Sequence, residues 1–413
     1  MKILNDITPS KKEKEKVGKA IDEFFKEFKP YFKDAELLVG GSIAKDTWLS
    51  GSYDIDVFVK FPYEKYKDKD ISKILERKLK KYNKLHGSRD YFQVSKGKFT
   101  FELIPVLDIN NAGKAKNITD ISPLHTLWVK KSLVHPNQAR LAKQFCRAND
   151  LYGAESYIRG FSGYVLEILI SKYGTFFDLA KNAANWRRDI IVDIAGHYGS
   201  RKELLEKMNK SKISTLVVVD PVQASRNAAA SLSEDKYIKF VELCKEFMRN
   251  PSENFFIKSK FSLRDLRREA GNDNFSLLKV YPIVGKKDIV GSKLLKAFVY
   301  ITKKLGEYGF EVRNHNWKWE GGKGGAYFWF YVKKSTLPEY YRHYGPPVKE
   351  KKNLEGFKNK WGEEEIKEED GRVYVEVTRE FRRVQDYMKM LLKDKYLHEN
   401  VKKIKMKKIT WMR

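Results

Sequence analysis

The segment from Leu37 to Lys60, Leu-Leu-Val-Gly-Gly-Ser-Ile-Ala-Lys-Asp-Thr-Trp-Leu-Ser-Gly-Ser-Tyr-Asp-Ile-Asp-Val-Phe-Val-Lys, constrains the fold more than any other. Two short apolar runs bounded by Gly, Ser and Asp read as strands, with a brief amphipathic helix around Ile43–Leu49 between them. Successive strand side chains point to opposite faces, so Asp54 and Asp56 emerge side by side from Ile55–Phe61 and its lead-in. They do so a few residues after the turn Gly40-Gly41-Ser42.

Two carboxylates on one strand face repel each other, and more strongly in a low dielectric. The pair is tolerable if both lie in water or if a divalent cation sits between them. Mg²⁺ is held by one or two carboxylates together with substrate phosphates, and a two-ion site activates a hydroxyl while stabilising a leaving pyrophosphate. A lone Asp-x-Asp is ordinary on an exposed strand, but the glycine turn upstream changes the balance. Gly41 lets the backbone approach a phosphate, Ser42 offers a hydroxyl, the next helix presents N–H groups at its start, and Lys45 follows about one turn on. No GxxxxGK[ST] is present, so P-loop chemistry is unsupported. The composite predicts nucleotidyl transfer on Mg²⁺.

A third carboxylate belongs on a neighbouring strand. Glu102 stands among apolar residues in Phe99–Leu107, where a charge is costly unless paired or bound to metal. Asp108 competes, but at the strand end it is cheaply solvated, and Glu102 is preferred.

Lys and Arg number 82 against 54 Asp and Glu, a formal charge of +28 over 413 residues. That surplus repels itself unless it meets a polyanion, and nucleic acid is the first candidate. A Lys-rich surface tuned for solubility is the bland alternative. Cys146 and Cys244 form no CxxC, which implies reduced thiols, no structural zinc and a cytoplasmic setting. No signal-like or membrane-spanning run is seen.

Periodicity organises the rest. Val17, Ile21, Phe24, Phe25 and Phe28 mark a helix closed by Pro30, and Asp70–Leu85 reads as a basic helix. Tyr91–Val94 and Phe99–Leu107 form a hairpin over Lys96-Gly97-Lys98. Helices follow at Ala139–Asn149, Phe161–Tyr173, Phe176–Asn185 and Glu234–Arg249, with a strand-like Ser214–Pro221 among them. Beyond Pro251 the pattern gives a strand at Leu277–Val284, a helix at Gly291–Tyr308 and aromatic strands over Glu311–Val332. A strand at Val373–Thr378 and a helix at Glu380–Asp394 complete it. The Lys-rich stretch Lys402–Lys408 reads as a frayed tail or an RNA-contacting arm. The expectation is a multidomain α+β protein with a catalytic head at 1–124, a helical nucleotide-binding neck at 125–257 and a basic α/β body and tail at 258–413.

The glycine-serine turn, the Asp-x-Asp strand and the later acidic strand resemble the polymerase-β-like nucleotidyltransferase superfamily, with its mixed sheet and helices. Asn149–Tyr164 (Asn-Asp-Leu-Tyr-Gly-Ala-Glu-Ser-Tyr-Ile-Arg-Gly-Phe-Ser-Gly-Tyr) is similar to the neck signature of archaeal, class I CCA-adding enzymes. Val219–Ala230 resembles the segment that closes their nucleotide pocket, and Gly345-Pro-Pro347 a later landmark. The resemblance implies that Asp54, Asp56 and Glu102 bind the catalytic metals. It also implies that Ser42 and Lys45 contact the triphosphate, assisted by His125, Lys143 and Tyr152, while Arg226 reads the base of CTP or ATP together with tRNA phosphates. Its substrate would be tRNA, held by the acceptor and TΨC arms. The oligomeric state stays open, a homodimer included. Two departures stand out: Asp is usual where Glu102 stands, and Arg where Lys45 stands. Lysine is a point charge without the guanidinium fork.

Each auxiliary residue also has a plain structural role open to it. Tyr152 can cap a helix end, Lys143 can be a solvated face of its helix, and His125 can be a core histidine. Trp317, Trp319, Tyr327, Trp329 and Tyr331 can stack on bases as in RNA-recognition sheets, or form core against the Gly291–Tyr308 helix. Core is favoured for the apolar phase and RNA backbone contact for the basic phase. The function expected is template-independent addition of CCA to tRNA. The alternatives are a poly(A)- or poly(U)-type terminal transferase and a non-catalytic RNA-binding protein.

Overall fold

A computed structural model describes residues 2–259, 261–271, 273–362 and 365–407. The chain divides into two compact units, Met1–Lys260 and Phe261–Arg413.

After a short opening helix at Lys2–Ile7, the first unit has a helix at Lys11–Phe28, capped by the Ser10 side chain accepting from the Glu13 N–H. Val17, Phe24 and Phe28 are its buried stripe, and Phe24 stacks on Phe101 at 3.9 Å between ring centres. That face covers a sheet of five strands: β1 (Glu36–Val39), β2 (Asp54–Pro62), β3 (Asn83–Leu85), β4 (Tyr91–Lys96) and β5 (Phe99–Asp108). Their order is β1-β2-β5-β4-β3. Only β2 and β5 run parallel, and every other pairing is antiparallel. The β4–β5 hairpin forms as its alternation predicts, with Gly97 at φ +59° in the turn.

Two expected helices are shorter than their patterns. The helix after the glycine turn spans only Gly41–Ala44, because Asp46 adopts φ +51° and the Thr47 N–H closes back on the Ser42 carbonyl at 2.9 Å. The expected helix Asp70–Leu85 stops at Lys78. Asn83–Leu85 instead forms the edge strand β3, paired with β4.

The same unit continues into helices at Pro136–Ala148, Gly163–Tyr173, Phe176–Ala183 and Glu234–Arg249. Their apolar faces form one core that includes both cysteines, which are free and buried. Ile3, Ile7 and Leu49 join this core from the N-terminal side. Arg140 couples the two halves, its Nε donating to the Trp48 carbonyl at 2.9 Å and a terminal nitrogen to Asp46 at 2.7 Å. Two short parallel strands, β6 (Ile190–Val192) and β7 (Leu216–Val218), form a separate ribbon. The apolar run ending at Pro221 suggested β7, and its partner β6 went unforeseen.

In the second unit the strands are β8 (Asn274–Tyr281), β9 (Val312–Trp319), β10 (Ala326–Val332), β11 (Tyr340–Pro347), β12 (Lys367–Glu369), β13 (Arg372–Thr378) and β14 (Lys403–Met406). One sheet has the order β14-β8-β10-β9 and another β11-β13-β12. The helix Lys287–Tyr308 covers Phe328 and Phe330 on one face of β10. The helix Leu263–Ala270 covers Trp329 and Tyr331 on the other, with Tyr327 packed beside them. Trp317 and Trp319 pack on the first of these cores. The aromatics of β10 are therefore core on both faces, as favoured for the apolar phase, while Trp317 and Trp319 on β9 are partly buried against the first core.

The basic C-terminal stretch also departs from expectation. Lys403–Met406 pairs antiparallel with β8, burying Ile404 while the lysines face outward, so this part is neither frayed nor a free arm. Lys408 lies outside the described residues. No helix among the described residues is long and apolar enough to cross a membrane.

Candidate functional site

The register of β2 against β5 sets the geometry. Asp54 lies opposite Thr100 and Asp56 opposite Glu102, so all three carboxylates share one face of the sheet. Asp108 lies opposite Pro62 at the far end, six residues on and thus roughly 20 Å from Glu102. There it contacts Lys60 at 3.0 Å. Register therefore separates the two candidates for a third carboxylate and sets Glu102 beside the pair. Gln93 on β4 donates to Glu102 at 3.3 Å.

The glycine turn is built against this face. The Gly40 N–H donates to the Asp56 carbonyl at 2.8 Å, and a Cβ on Gly40 would meet the Phe58 ring at 2.3 Å. Gly41 has φ +58°, and a Cβ there would lie 1.6 Å from Asp56 Oδ2. Asp56 thus occupies the space that only glycine leaves open. Burial, opposed by Lys45 and reinforced by neighbouring Asp54, pushes its carboxyl up from 3.8 to about 6. A group in that state is unfavourable as an anion until a cation arrives.

The donor set fits a hard divalent ion, being all carboxylate oxygen. Among the described residues no three His, Cys, Asp or Glu side chains converge on one ion. A cation here would be held by Asp54 and Asp56, with Glu102 flanking, and completed by phosphate and water oxygens. That sharing is the usual one for Mg²⁺.

Lys45 and Lys143 are brought together, by a residue the sequence did not single out. Glu167, on the helix Gly163–Tyr173, is fully buried. It accepts from Lys45 Nζ at 2.6 Å, Lys143 Nζ at 2.8 Å and Thr47 Oγ1 at 2.5 Å. Lys143 also donates to the Thr47 carbonyl at 3.1 Å and its hydroxyl at 2.8 Å. It is only 3% exposed, which corrects the solvated-face alternative. Burial alone would raise the Glu167 carboxyl, but Lys143 and Lys45 outweigh it and hold it at about 2. Burial pulls Lys143 below the ordinary lysine value, Glu167 opposes, and Lys45 adds to the fall. Tyr152 borders the cluster: a Cβ on Gly163 would sit 3.0 Å from its hydroxyl and 3.3 Å from Lys143 Cε. Burial, with Glu167 adding, pushes the Tyr152 phenol up to about 12.

His125 and Arg226 meet at a second unforeseen carboxylate, Asp220, which follows β7 and is fully buried. Asp220 accepts from Arg226 at 2.5 Å, Tyr164 Oη at 3.1 Å and the Val222 N–H at 2.9 Å. His125 Nε2 lies 2.9 Å from it, without the alignment of a hydrogen bond. Burial opposes ionisation of Asp220, yet the His125 ring and Arg226 hold its carboxyl at about 2. Tyr164 joins the clusters: its ring lies 4.3 Å from that of His125 and 5.9 Å from Lys45 Nζ. Ser42 lies partly buried at the start of the Gly41–Ala44 helix.

Glu167 and Asp220 share a signal with Glu102, each being a lone acid against an apolar run. A buried charge at such a place demands a partner.

Known proteins match the chain along most of its length. Residues 21–120 match a nucleotidyltransferase domain, 137–257 the second domain of tRNA nucleotidyltransferase, and 282–409 the C-terminal domain of CCA-adding enzyme. The chain is 35% identical over 383 residues to the CCA-adding enzyme of Nanoarchaeum equitans, covering 90% of this chain and 91% of that one. It is 30% identical to the CCA-adding enzyme of Methanosarcina barkeri, covering 87% and 80% of the two chains. For that of Thermococcus gammatolerans the identity is 33%, covering 75% and 68%.

Proposed function

The chain belongs to the archaeal CCA-adding enzymes, and on that premise we propose that the face carrying Asp54, Asp56 and Glu102 is its active site. The activity is nucleotidyl transfer: C, C and A are added to the 3′ end of tRNA from CTP and ATP without a nucleic-acid template. In each step the terminal 3′-hydroxyl oxygen bonds to the α-phosphorus of the incoming nucleotide and the bond to pyrophosphate breaks.

Nucleotidyltransferases work with divalent metal ions, and we assign the ion here as Mg²⁺. Bound at the carboxylates, it would lower the cost of the 3′-oxyanion and of the leaving pyrophosphate. The chain's residues bind and orient around it. Gly41 and Ser42 offer backbone and hydroxyl donors to the triphosphate, with Lys45 and Lys143 supplying positive charge behind them. Tyr152 and His125 border that space. Arg226, held on one edge by Asp220, directs its other edge to the base and tRNA phosphates. The acceptor and TΨC arms of tRNA are the partner of the basic second unit, a purpose that suits the whole chain's formal charge of +28.

The observation that carries this reading is the register of Asp56 beside Glu102, with Gly41 making room for the Asp56 carboxylate. The test is to offer each of the four nucleotides separately to tRNA lacking CCA and to tRNA ending in CC. C addition to the first, with A addition that then stops on the second, supports the reading. Long homopolymer tails would mark a tailing enzyme, and no extension at all would mark a non-catalytic RNA-binding protein.

A further inference from the structure

Glu167 belongs to neither the carboxylate face nor the glycine turn, yet among the described residues it is the one anion that Lys45 and Lys143 share. Each ammonium takes a different oxygen, so the two like charges are held close together in a buried place. Lys45 is 10% exposed and Lys143 3%. One carboxylate against two ammonium groups leaves one unit of positive charge uncompensated. Lys45 directly follows the Gly41–Ala44 helix, and Thr47, the third donor to Glu167, stands two residues on. The surplus charge therefore belongs to the turn itself.

Removing the carboxylate has a predictable result. Two ammonium groups this close separate, because burial and mutual repulsion both act against them. Asp56 is another anion beside the same turn, its Oδ2 lying 1.6 Å from where a Gly41 Cβ would sit, and Lys45 caps the one-turn helix that starts at Gly41. A lysine that turns to Asp56 occupies the carboxylate needed for the cation and leaves the triphosphate space.

We propose that Glu167 is a positioning residue of the triphosphate site, holding Lys45 and Lys143 together and keeping Lys45 off Asp56, so that their surplus charge attracts the nucleotide triphosphate. This rests on the assignment of the triphosphate to the turn ending at Lys45, and the variants separate the two claims.

The experiment measures CTP binding by calorimetry in the absence of tRNA, with and without Mg²⁺, for Glu167→Gln, Lys45→Met and the double variant. Losing a charge-assisted contact weakens CTP by about 10- to 100-fold in Glu167→Gln. In turnover this reads as a raised KM for CTP with a smaller change in kcat, and Glu167→Asp recovers part of it. In the Lys45→Met background, Glu167→Gln changes affinity by less than about twofold, because the two act as one unit. Wild-type affinity in Glu167→Gln, or losses that simply add in the double variant, overturn the proposal. Wild-type affinity in Lys45→Met overturns the assignment of the triphosphate to the turn. If Glu167→Gln melts early, Glu167→Gln with Lys143→Met removes both buried charges together. That pair is expected to fold and still bind CTP weakly, and wild-type affinity there refutes the proposal.

Discussion

Replacing Gly41 with alanine should silence the enzyme without unfolding it, for two separable reasons. The backbone at φ +58° lies in the left-handed region, where a Cβ costs roughly 1–2 kcal/mol. Independently, that Cβ would sit 1.6 Å from Asp56 Oδ2 and 2.6 Å from its Cγ, far inside contact distance. The carboxylate must retreat by more than about 1 Å, and a displacement of that size at a reacting centre costs on the order of 100-fold in rate. Gly51 supplies the control. Its φ is +78°, but nothing lies within 4 Å of its Cβ position, so Gly51→Ala meets the backbone term alone. Both variants should melt a few degrees low, about 2–4 °C per kcal/mol for a unit of this size. Single-turnover incorporation of labelled CMP into tRNA lacking CCA should fall about 100-fold in Gly41→Ala and stay near wild type in Gly51→Ala. Equal rates in the two variants would refute the argument that Gly41 exists to seat Asp56.

Other consequences follow from the carboxylates. Asp56 has a folded pKa of about 6, above its ordinary 3.8. The native state therefore binds the proton more tightly, and this group's contribution to stability falls as pH rises through that window. Asp56→Asn should accordingly melt above wild type at pH 7–8 in EDTA, by no more than about 3 kcal/mol. Adding Mg²⁺ should raise the melting temperature of wild type and not of the variant; equal shifts in both would remove the ion from this face. Asp220→Asn should release the Arg226 edge it holds. The expected result is misincorporation of U and G opposite little change in tRNA affinity, read by offering each nucleotide alone. Unchanged selectivity would detach Arg226 from the base.

The features legible in the sequence are those decided by local pattern. The Asp54/Asp56 alternation, the hairpin over Lys96-Gly97-Lys98 and the Glu234–Arg249 helix each follow from side-chain period and turn chemistry within a dozen residues. The failures are decided by pairing and packing partners that side-chain period does not reveal, whether near in the chain or far. Asn83–Leu85 continues a basic helical pattern, yet becomes a strand because β4 offers an edge. Lys403–Met406 alternates lysine with Ile404 and Met406, and only the β8 edge turns that into structure. Tyr327, Trp329 and Tyr331 share one face of β10 as a stacking set would, and only the docking of Leu266 and Ala270 from the Leu263–Ala270 helix turns that face into core. In the site, Lys45 follows from the glycine turn, whereas Lys143 and Arg226 are named from resemblance, and the acids that hold them, Glu167 and Asp220, carry a physical signal of their own. Each is a single charge in an apolar context, the same argument that selected Glu102 over Asp108.

The central claim is that the paired carboxylates of β2 carry the chemistry while the rest of the protein holds the tRNA. It is tested most directly by labelled CMP incorporation into tRNA lacking CCA, run beside a tRNA-binding titration, for wild type and Asp56→Ala. Incorporation should be abolished in the variant while tRNA binding stays largely intact. Turnover that persists without Asp56 would contradict the account.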